Sequence, residues 1–539
     1  MKTTEKILVI FMLALLVLPG IQKEYPFVKV KKLDGSFVLA EKPKLTRKSW
    51  YSGDFQSKFN NYIEDHIGFR DFLVRLTNQI DFSFYRVPHA EGVVIGKDDQ
   101  LFEYDYIREY VGGDYIGKEL IDKKMRMLKY LQTYLKKEKN IDLILVFEPG
   151  KASVNPEYIP DRFLKEGIST TNSKVFLQKA DEYNVRYIDL ENYFHQLKGN
   201  TEYPIYPQYG IHWSIYGMSF AADSLIKYIE NLRHIDMPDV YIDSLEIEQH
   251  ARRPDYDVAT TLNLLWRLPE KQKLAYPVYR FENNPQKTRP MVLTIADSYY
   301  WNIFNTRIPK HLFKNEAFWY FNALVYPDSY SKKTRTSDLN LKKEIEKQDV
   351  IFLMVTKRFL YKFDWTFLNK AYKLYAPASE YDKLYSFIDN ICNDSKWFDV
   401  IIEKAKEKNM TLGEKLKEDG NYIFMVNEKK DFMVLKGGEY YEEKIKNTPD
   451  WLKSVKEKAK KKNIPVEKMI RMEANYSFKK EYPEQFKKYN AIRKQKEIIL
   501  NNSSLVAKTD SIAKQYYMTF DEALQIEAEK IAVLSVIEP

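Results

Sequence analysis

Two short segments carry residue types suited to nucleophilic acyl transfer, Ile295-Ala296-Asp297-Ser298-Tyr299 and Tyr209-Gly210-Ile211-His212-Trp213-Ser214. The first follows a β-rich run and precedes an apolar segment. Ser298 is therefore expected at a strand-to-helix turn, with its Oγ exposed and the helix N-terminus offering backbone N–H groups to an oxyanion. A plain N-cap serine produces the same local pattern. His212 stands just ahead of a helix expected from Tyr216 to Asn231, and with seven histidines in the chain it is the candidate general base for that serine. Metal chemistry has no comparable support. Cys392 is the single cysteine, and His66 beside Asp65 completes no ligand set, so a solvent-facing histidine is the simpler reading and neither metal nor cofactor is expected.

The elements that must position these residues alternate. Short β-rich runs at Asp142 to Phe147, Tyr187 to Asp189, Met291 to Ile295 and Asp349 to Val355 read as strands, with helices between them. That alternation predicts an α/β fold built on a doubly wound, mostly parallel sheet flanked by helices. Ligands of such sheets sit at the carboxyl ends of the strands, so chemistry is expected just after Phe147, Ile295 and Val355. Upstream, the spacing of apolar residues predicts a helix pair between Phe55 and Tyr85, a short strand at Val93 to Ile95, and a long amphipathic helix from about Lys118 to Lys137.

At the start of the chain, Lys2 and Lys6 precede an uninterrupted apolar run from Ile7 to Ile21, followed by Gln22, Lys23 and Glu24. At 1.5 Å per residue this run spans roughly 22 Å, short of the roughly 30 Å hydrocarbon layer. Residues 1–22 read either as a signal anchor or as a signal peptide cut near Gly20, and in both cases the body is translocated. Composition agrees with a folded chain of several units: 539 residues, 44% hydrophobic and 15% aromatic. Large aromatics fill cores, and can also form sugar-stacking surfaces. The 85 basic residues are nearly matched by 76 acidic ones, and no finger, Walker or RNP pattern accompanies them, which argues against nucleic acid as a partner. The lysines read as solvated helix faces or as a mild preference for anionic surfaces.

After residue 380 the strands stop and the chain turns helical and rich in lysine. A repeat with a period of 54 residues runs through this tail, at about 391–424, 445–478 and 499–532. Trp397 aligns with Trp451 and Leu505, and each unit opens on Ile-x-Asn at Ile391, Ile445 and Ile499. Second-helix starts are marked by Thr411 with Glu414, by Pro465, and by Thr519 with Glu522. The expectation is an all-α domain over 381–539 made of three helical-pair repeats, serving to dock a partner or to cap the domain at 23–380.

With their flanks, the two candidate segments resemble the AlgX/AlgJ family, SGNH-hydrolase-type proteins of exopolysaccharide (alginate) O-acetylation that are distantly DltD-like. Asn61 to Asp71 is similar to that family's F-x-x-R-D helix, and Val93 to Phe102 to its V-I-G-K-D-G-W-L-F strand. Pro149-Gly150-Lys151 with Asn155 to Pro160 resembles its P-x-K … Y-P-E-Y-L-P segment, and His212-Trp213 its D-x-H-W motif, with Ser298 in the place of the nucleophile. The resemblance implies an O-acetyltransferase, and the N-terminal run places it in the periplasm, anchored to the inner membrane where that run is a signal anchor. Such an enzyme passes acetyl through a serine acyl-enzyme to a polysaccharide hydroxyl, with a membrane-bound MBOAT-type acyltransferase as the donor system. Acetylesterase activity, or an inactive glycan-binding scaffold of an export complex, are the other readings of the same motifs. The resemblance also offers Asn322 as an oxyanion donor and Lys151 as a substrate contact; a loop asparagine and a surface ion pair are their plainer readings. One departure stands out: the family's acid before the histidine is Gly210 here, and neither Gln208 nor Tyr209 can replace it. Asp297, Asp255 and Asp257 are the replacement acids considered, with a backbone carbonyl as the remaining way to orient His212.

Overall fold

The structure, a computed structural model, describes residues 3–35, 37–377 and 381–537. Lys2, Pro539 and residue 380, on which the expected domain boundary falls, lie outside the described residues. Among the described residues ten strands occur in chain order: β1 Val93–Ile95, β2 Leu101–Glu103, β3 Asp142–Glu148, β4 Tyr187–Asp189, β5 Val240–Glu248, β6 Leu274–Phe281, β7 Val292–Ala296, β8 Ala317–Tyr320, β9 Leu324–Tyr326 and β10 Val350–Thr356. Six of them form one sheet in the order β4-β3-β10-β7-β8-β9. Every pairing is parallel except β8 with β9. The expected doubly wound sheet is present.

β3 and β10 are buried on both faces, and their side chains alternate between two cores as a strand's period of two requires. Leu143, Leu145, Phe147, Ile351, Leu353 and Val355 point into one core, packed with the Lys118–Lys139 helix. Ile144, Val146, Phe352 and Met354 point into the other, packed with the Ile215–Arg233 helix and the segments around Tyr209 and Tyr299. Two antiparallel ribbons, β1 with β2 and β5 with β6, flank the sheet.

The tail is all-helical, but its unit is a triplet, which corrects the expected pairs. The helices are Tyr381–Asn393, Ser395–Glu407 and Leu412–Asn427; then Lys429–Lys446, Pro449–Lys462 and Val466–Glu481; then Pro483–Leu500, Ser503–Gln515 and Phe520–Ile537. The period of 54 stands, and the shared Ile-x-Asn is the last turn of a whole leading helix. That helix escaped sequence comparison because its packing differs from unit to unit. In the second unit Gly437 and Gly438 admit Phe478 and Tyr489, whereas in the first the close approach is Gly420 against Ile388.

The repeats roof the Lys118–Lys139 helix on the side away from the sheet. Lys123 and Arg126 pair with Glu522 at 2.9 and 2.6 Å, and Lys124 pairs with Asp389 at 2.6 Å, all buried. At the other end of the chain, the Thr3–Glu24 helix is long and apolar enough to cross a membrane. The expected pair between Phe55 and Tyr85 is the Asp54–His66 and Arg70–Ile80 helices, ending in a wide turn over Asp81–Tyr85.

Candidate active site

The site lies at the carboxyl ends of β3, β10 and β7, where Glu148, Thr356 and the Asp297-Ser298 turn stand side by side. After Ala296 the chain must turn, and Asp297 shapes that turn. Its Oδ1 accepts the Tyr299 N–H at 2.9 Å, and its Oδ2 accepts the Thr356 N–H at 2.9 Å together with the Thr356 hydroxyl. Ser298 emerges at the turn, and its carbonyl accepts the Trp301 N–H at 3.2 Å as the Tyr300–Asn305 helix begins.

His212 comes from an irregular loop, and that loop is held by donors from elsewhere in the fold. The Lys151 ammonium, buried at the start of the segment after β3, donates into a cage of backbone carbonyls: Leu101 at 2.8 Å, Pro207 at 2.8 Å, Gln208 at 2.9 Å and Gly210 at 2.8 Å. The Tyr299 hydroxyl donates to Ile211 O at 2.9 Å, and the Tyr299 ring lies 4.8 Å from the imidazole. Downstream, Ser214 caps the Ile215–Arg233 helix by accepting the Gly217 N–H at 2.9 Å.

The third group is Asp257, at the start of the short Asp257–Thr261 helix. Its Oδ1 accepts the N–H groups of Ile211 at 3.0 Å and Val258 at 2.7 Å, which fixes the carboxylate, and its Oδ2 meets His212 Nδ1 at 2.5 Å. On the far side of the ring, His212 Nε2 stands 2.8 Å from Ser298 Oγ. Carboxylate, imidazole and hydroxyl thus form a continuous relay, with the His212 side chain 18% exposed. Burial works to lower the His212 pKa, but Asp257, with help from Asp297 and Asp255, overrides it and holds the imidazole above its ordinary value.

Position 210 shows why the acid comes from another segment. A Cβ there would lie 2.8 Å from Pro207 Cγ and 2.9 Å from Asp255 O, so no side chain fits. The remaining sequence candidates fall as follows. Asp297 is not at the histidine, since both its oxygens are occupied in the nucleophile turn. Asp255 accepts the Ile215 N–H at 3.2 Å at a helix start, and burial pushes its carboxyl up to about 7. Lys151 is neither a surface ion pair nor a substrate contact: its hydrogen bonds go to the loop carbonyls, and burial pulls its pKa down to about 7. Asn322 follows Phe321, whose N–H donates to Ala296 O at 2.8 Å, and its own amide donates to Trp365 O at 3.0 Å. Sequence reasoning missed two neighbours. Tyr299, next to the serine, braces the histidine loop. Glu148 closes β3 beneath the turn, where burial and the nearby Asp297 push its carboxyl well above the usual range. An acid ending a strand of six preceding residues buried on both faces was its available signal. Among the described residues, no group of three or more His, Cys, Asp or Glu side chains is placed to hold a metal ion.

Residues 93–289 match the family described as SGNH hydrolase-like domain, acetyltransferase AlgX. The match takes in Lys151, His212 and Asp257 and stops short of Ser298. No curated protein matches the chain. Among solved structures, similarity is found to the O-acetyltransferase domain of Pseudomonas putida AlgJ at 16% identity, over 52% of this chain and 99% of that one, with a TM-score of 0.34. Pseudomonas aeruginosa AlgX is 14% identical over 50% of this chain and 57% of that one, with a TM-score of 0.29. Bacillus cereus PatB1 is 13% identical over 50% of this chain and 96% of that one, with a TM-score of 0.30.

Proposed function

We propose that this chain, whose residues 93–289 match the SGNH hydrolase-like AlgX family, is an extracytoplasmic O-acetyltransferase that works through a Ser298 acyl-enzyme. The observation that carries the proposal is the relay Asp257–His212–Ser298, with 2.5 Å and 2.8 Å between successive groups. Ser298 Oγ attacks the carbonyl carbon of an acetyl donor while its proton passes to His212 Nε2, and Asp257 stabilises the imidazolium. The backbone N–H of Ser298 and the second amide hydrogen of Asn322 are the oxyanion donors we assign. Collapse of the tetrahedral intermediate expels the donor's leaving group, which takes the proton from His212. In the second half, an acceptor hydroxyl gives its proton to His212, attacks the acetyl-serine carbonyl and leaves as the ester, restoring Ser298.

The acceptor in this reading is a polysaccharide hydroxyl, and the donor system a membrane-bound acyltransferase of the MBOAT class. The family resemblance supports both. An apolar helix able to cross a membrane at Thr3–Glu24 supports an anchored body outside the cytoplasm. Water in place of the sugar hydroxyl would make the same site an acetylesterase, so the acceptor decides between the two. An inactive scaffold has no need of an intact relay.

The test is acetyl release from p-nitrophenyl acetate by the full chain, comparing wild type with Ser298→Ala and His212→Ala. Loss of release in both variants, with acetyl trapped on Ser298 in the wild type, is the expected result. Release that survives Ser298→Ala would end the proposal.

A further inference from the structure

Beside the Thr3–Glu24 helix the molecule has a surface of inverted polarity. The Arg70–Ile80 helix buries Arg75, Asn78 and Gln79 and turns Phe72, Leu73 and Ile80 outward, and the turn that follows leaves Phe84 78% and Tyr85 70% exposed. A helix at a protein surface in water does the reverse. The inward polar face is specified by partners. Arg75 donates to Lys32 O at 2.8 Å and Leu264 O at 3.2 Å, and Asn78 donates to Leu262 O at 2.9 Å. Gln79 donates to Ser83 Oγ at 2.9 Å and accepts the Trp266 N–H at 3.1 Å. Rotating the helix to hide its apolar side would strand these groups, so the outward apolar face is built in.

Two further observations say what covers it. The C-terminal end of the Thr3–Glu24 helix, where its apolar run gives way to Gln22, Lys23 and Glu24, is seated on the turn that starts this surface. A Cβ at Gly68 would lie 2.2 Å from Pro19 O, Lys23 Nζ stands 5.5 Å above the Tyr62 ring, and Phe27 meets Phe69 edge-on at 5.9 Å. A helix that crosses a membrane emerges from the hydrocarbon where its apolar run ends, which places the exposed patch at headgroup depth. Charge points the same way. Residues 22–49, which lead from the first helix to this surface, hold eight lysines and arginines against three acids, a surplus of five, whereas residues 50–85 themselves hold three against five. An aromatic file, Trp50–Phe55–Phe59–Tyr62–His66, with successive ring centroids 6.1, 5.4, 6.3 and 4.2 Å apart, leads into and along the neighbouring Asp54–His66 helix. A basic segment beside an aromatic and apolar face suits an anionic lipid interface.

We propose that residues 50–85 are a lipid-docking collar. Phe72, Leu73, Ile80, Phe84 and Tyr85 enter the headgroup and acyl boundary of an anionic phospholipid layer, and the basic segment before them, residues 22–49, draws the body there. The catalytic body then lies on the membrane rather than swinging from a tether, which gives the Ser298 site a fixed height and facing. The proposal rests on the membrane-crossing reading of the first helix and is independent of the acetyl-transfer chemistry.

Cys392 is 1% exposed, so a cysteine introduced elsewhere is the reactive thiol for a polarity-sensitive NBD label. Full-length Leu73→Cys, Phe84→Cys, Leu13→Cys and Lys461→Cys proteins, labelled and reconstituted without other protein into phosphatidylcholine vesicles with or without phosphatidylglycerol, make the test. The expected result is blue-shifted emission, quenching by spin-labelled lipid and protection from iodide at 73, 84 and 13, with the lipid contact at 73 and 84 strengthened by phosphatidylglycerol. Position 461 should stay open to iodide. Labels at 73 and 84 that behave like 461 while 13 is in lipid would overturn the collar and leave the anchor standing. Shielding at 73 and 84 that appears only in native membranes would assign the surface to a protein partner instead.

Discussion

Ser298 and His212 meet at 2.8 Å, yet the two halves of the site are built in opposite ways. Ser298 is delivered by regular structure. A buried parallel strand ends, Asp297 folds the chain back, and a helix begins, so the strand's register chiefly sets where the hydroxyl goes. His212 sits on a loop with no ladder of its own, and outside groups do the work: an ammonium under its carbonyls, a tyrosine hydroxyl on Ile211 O, and a carboxylate shared between Ile211 N–H and the imidazole. A residue placed by secondary structure tolerates the loss of one neighbour; a residue placed by tethers does not. Substitutions on the two sides should therefore differ in kind.

The largest effect is expected at Asp257. Asp257→Asn removes the group that holds the imidazole tautomer, and turnover of p-nitrophenyl acetate should fall by about 10⁴-fold, the order found when such an acid is replaced. Adding Gly210→Asp should not rescue it, because a Cβ at 210 collides with Pro207 and Asp255 O. Near-normal turnover in Asp257→Asn, or rescue by the double change, would place the orienting acid elsewhere.

The pH profile sharpens the same point. His212 acts as a base only when neutral, and its pKa is held above the ordinary 6.5 against the pull of burial, chiefly by Asp257. The acid limb of the wild-type profile should therefore lie above pH 6.5. In Asp257→Asn the main raising cause is gone, burial dominates, and the limb of the residual activity should move to lower pH. An unmoved limb would mean that Asp257 does not set the titration.

The Ser298 half was readable from sequence because a strand-to-helix turn is a local pattern. β3, β7 and β10 announced themselves as β-rich runs, and the helix after His212 by its spacing. What could not be read is what depends on distant contacts. Asp257 is 45 residues from His212, and nothing local marks it over Asp255 or Asp297. Lys151 looked like a surface cation because lysine usually is one, and only the fold shows the carbonyl cage around it. The leading helix of each tail repeat was lost for a related reason, since its sequence answers to neighbours that change from unit to unit.

Next in size is Lys151→Met, which keeps the length of the stem and deletes the ammonium. The carbonyls of Leu101, Pro207 and Gly210 then lose this donor, at about 1–3 kcal/mol for each left unsatisfied, while Gln208 O keeps the Leu101 N–H at 3.0 Å. The loop should relax enough to cost about 10²-fold in turnover, the scale of an ångström of misplacement. Wild-type turnover in a folded Lys151→Met protein would show that the loop holds itself.

The smallest effect is expected on the serine side. Thr356→Val removes the hydroxyl that donates to Asp297 Oδ2 but keeps the backbone N–H that donates to the same oxygen at 2.9 Å, and the side chain's shape is conserved. Losing one hydrogen bond to a group that keeps its others costs about 1 kcal/mol, roughly fivefold in rate if all of it falls on the transition state. Strand pairing of β10 with β7 and β3 still fixes the turn, so the loss should stay at or below that figure. A fall as steep as that of Lys151→Met would mean that Ser298 also depends on its tethers, and the contrast between the two halves of the site would be lost.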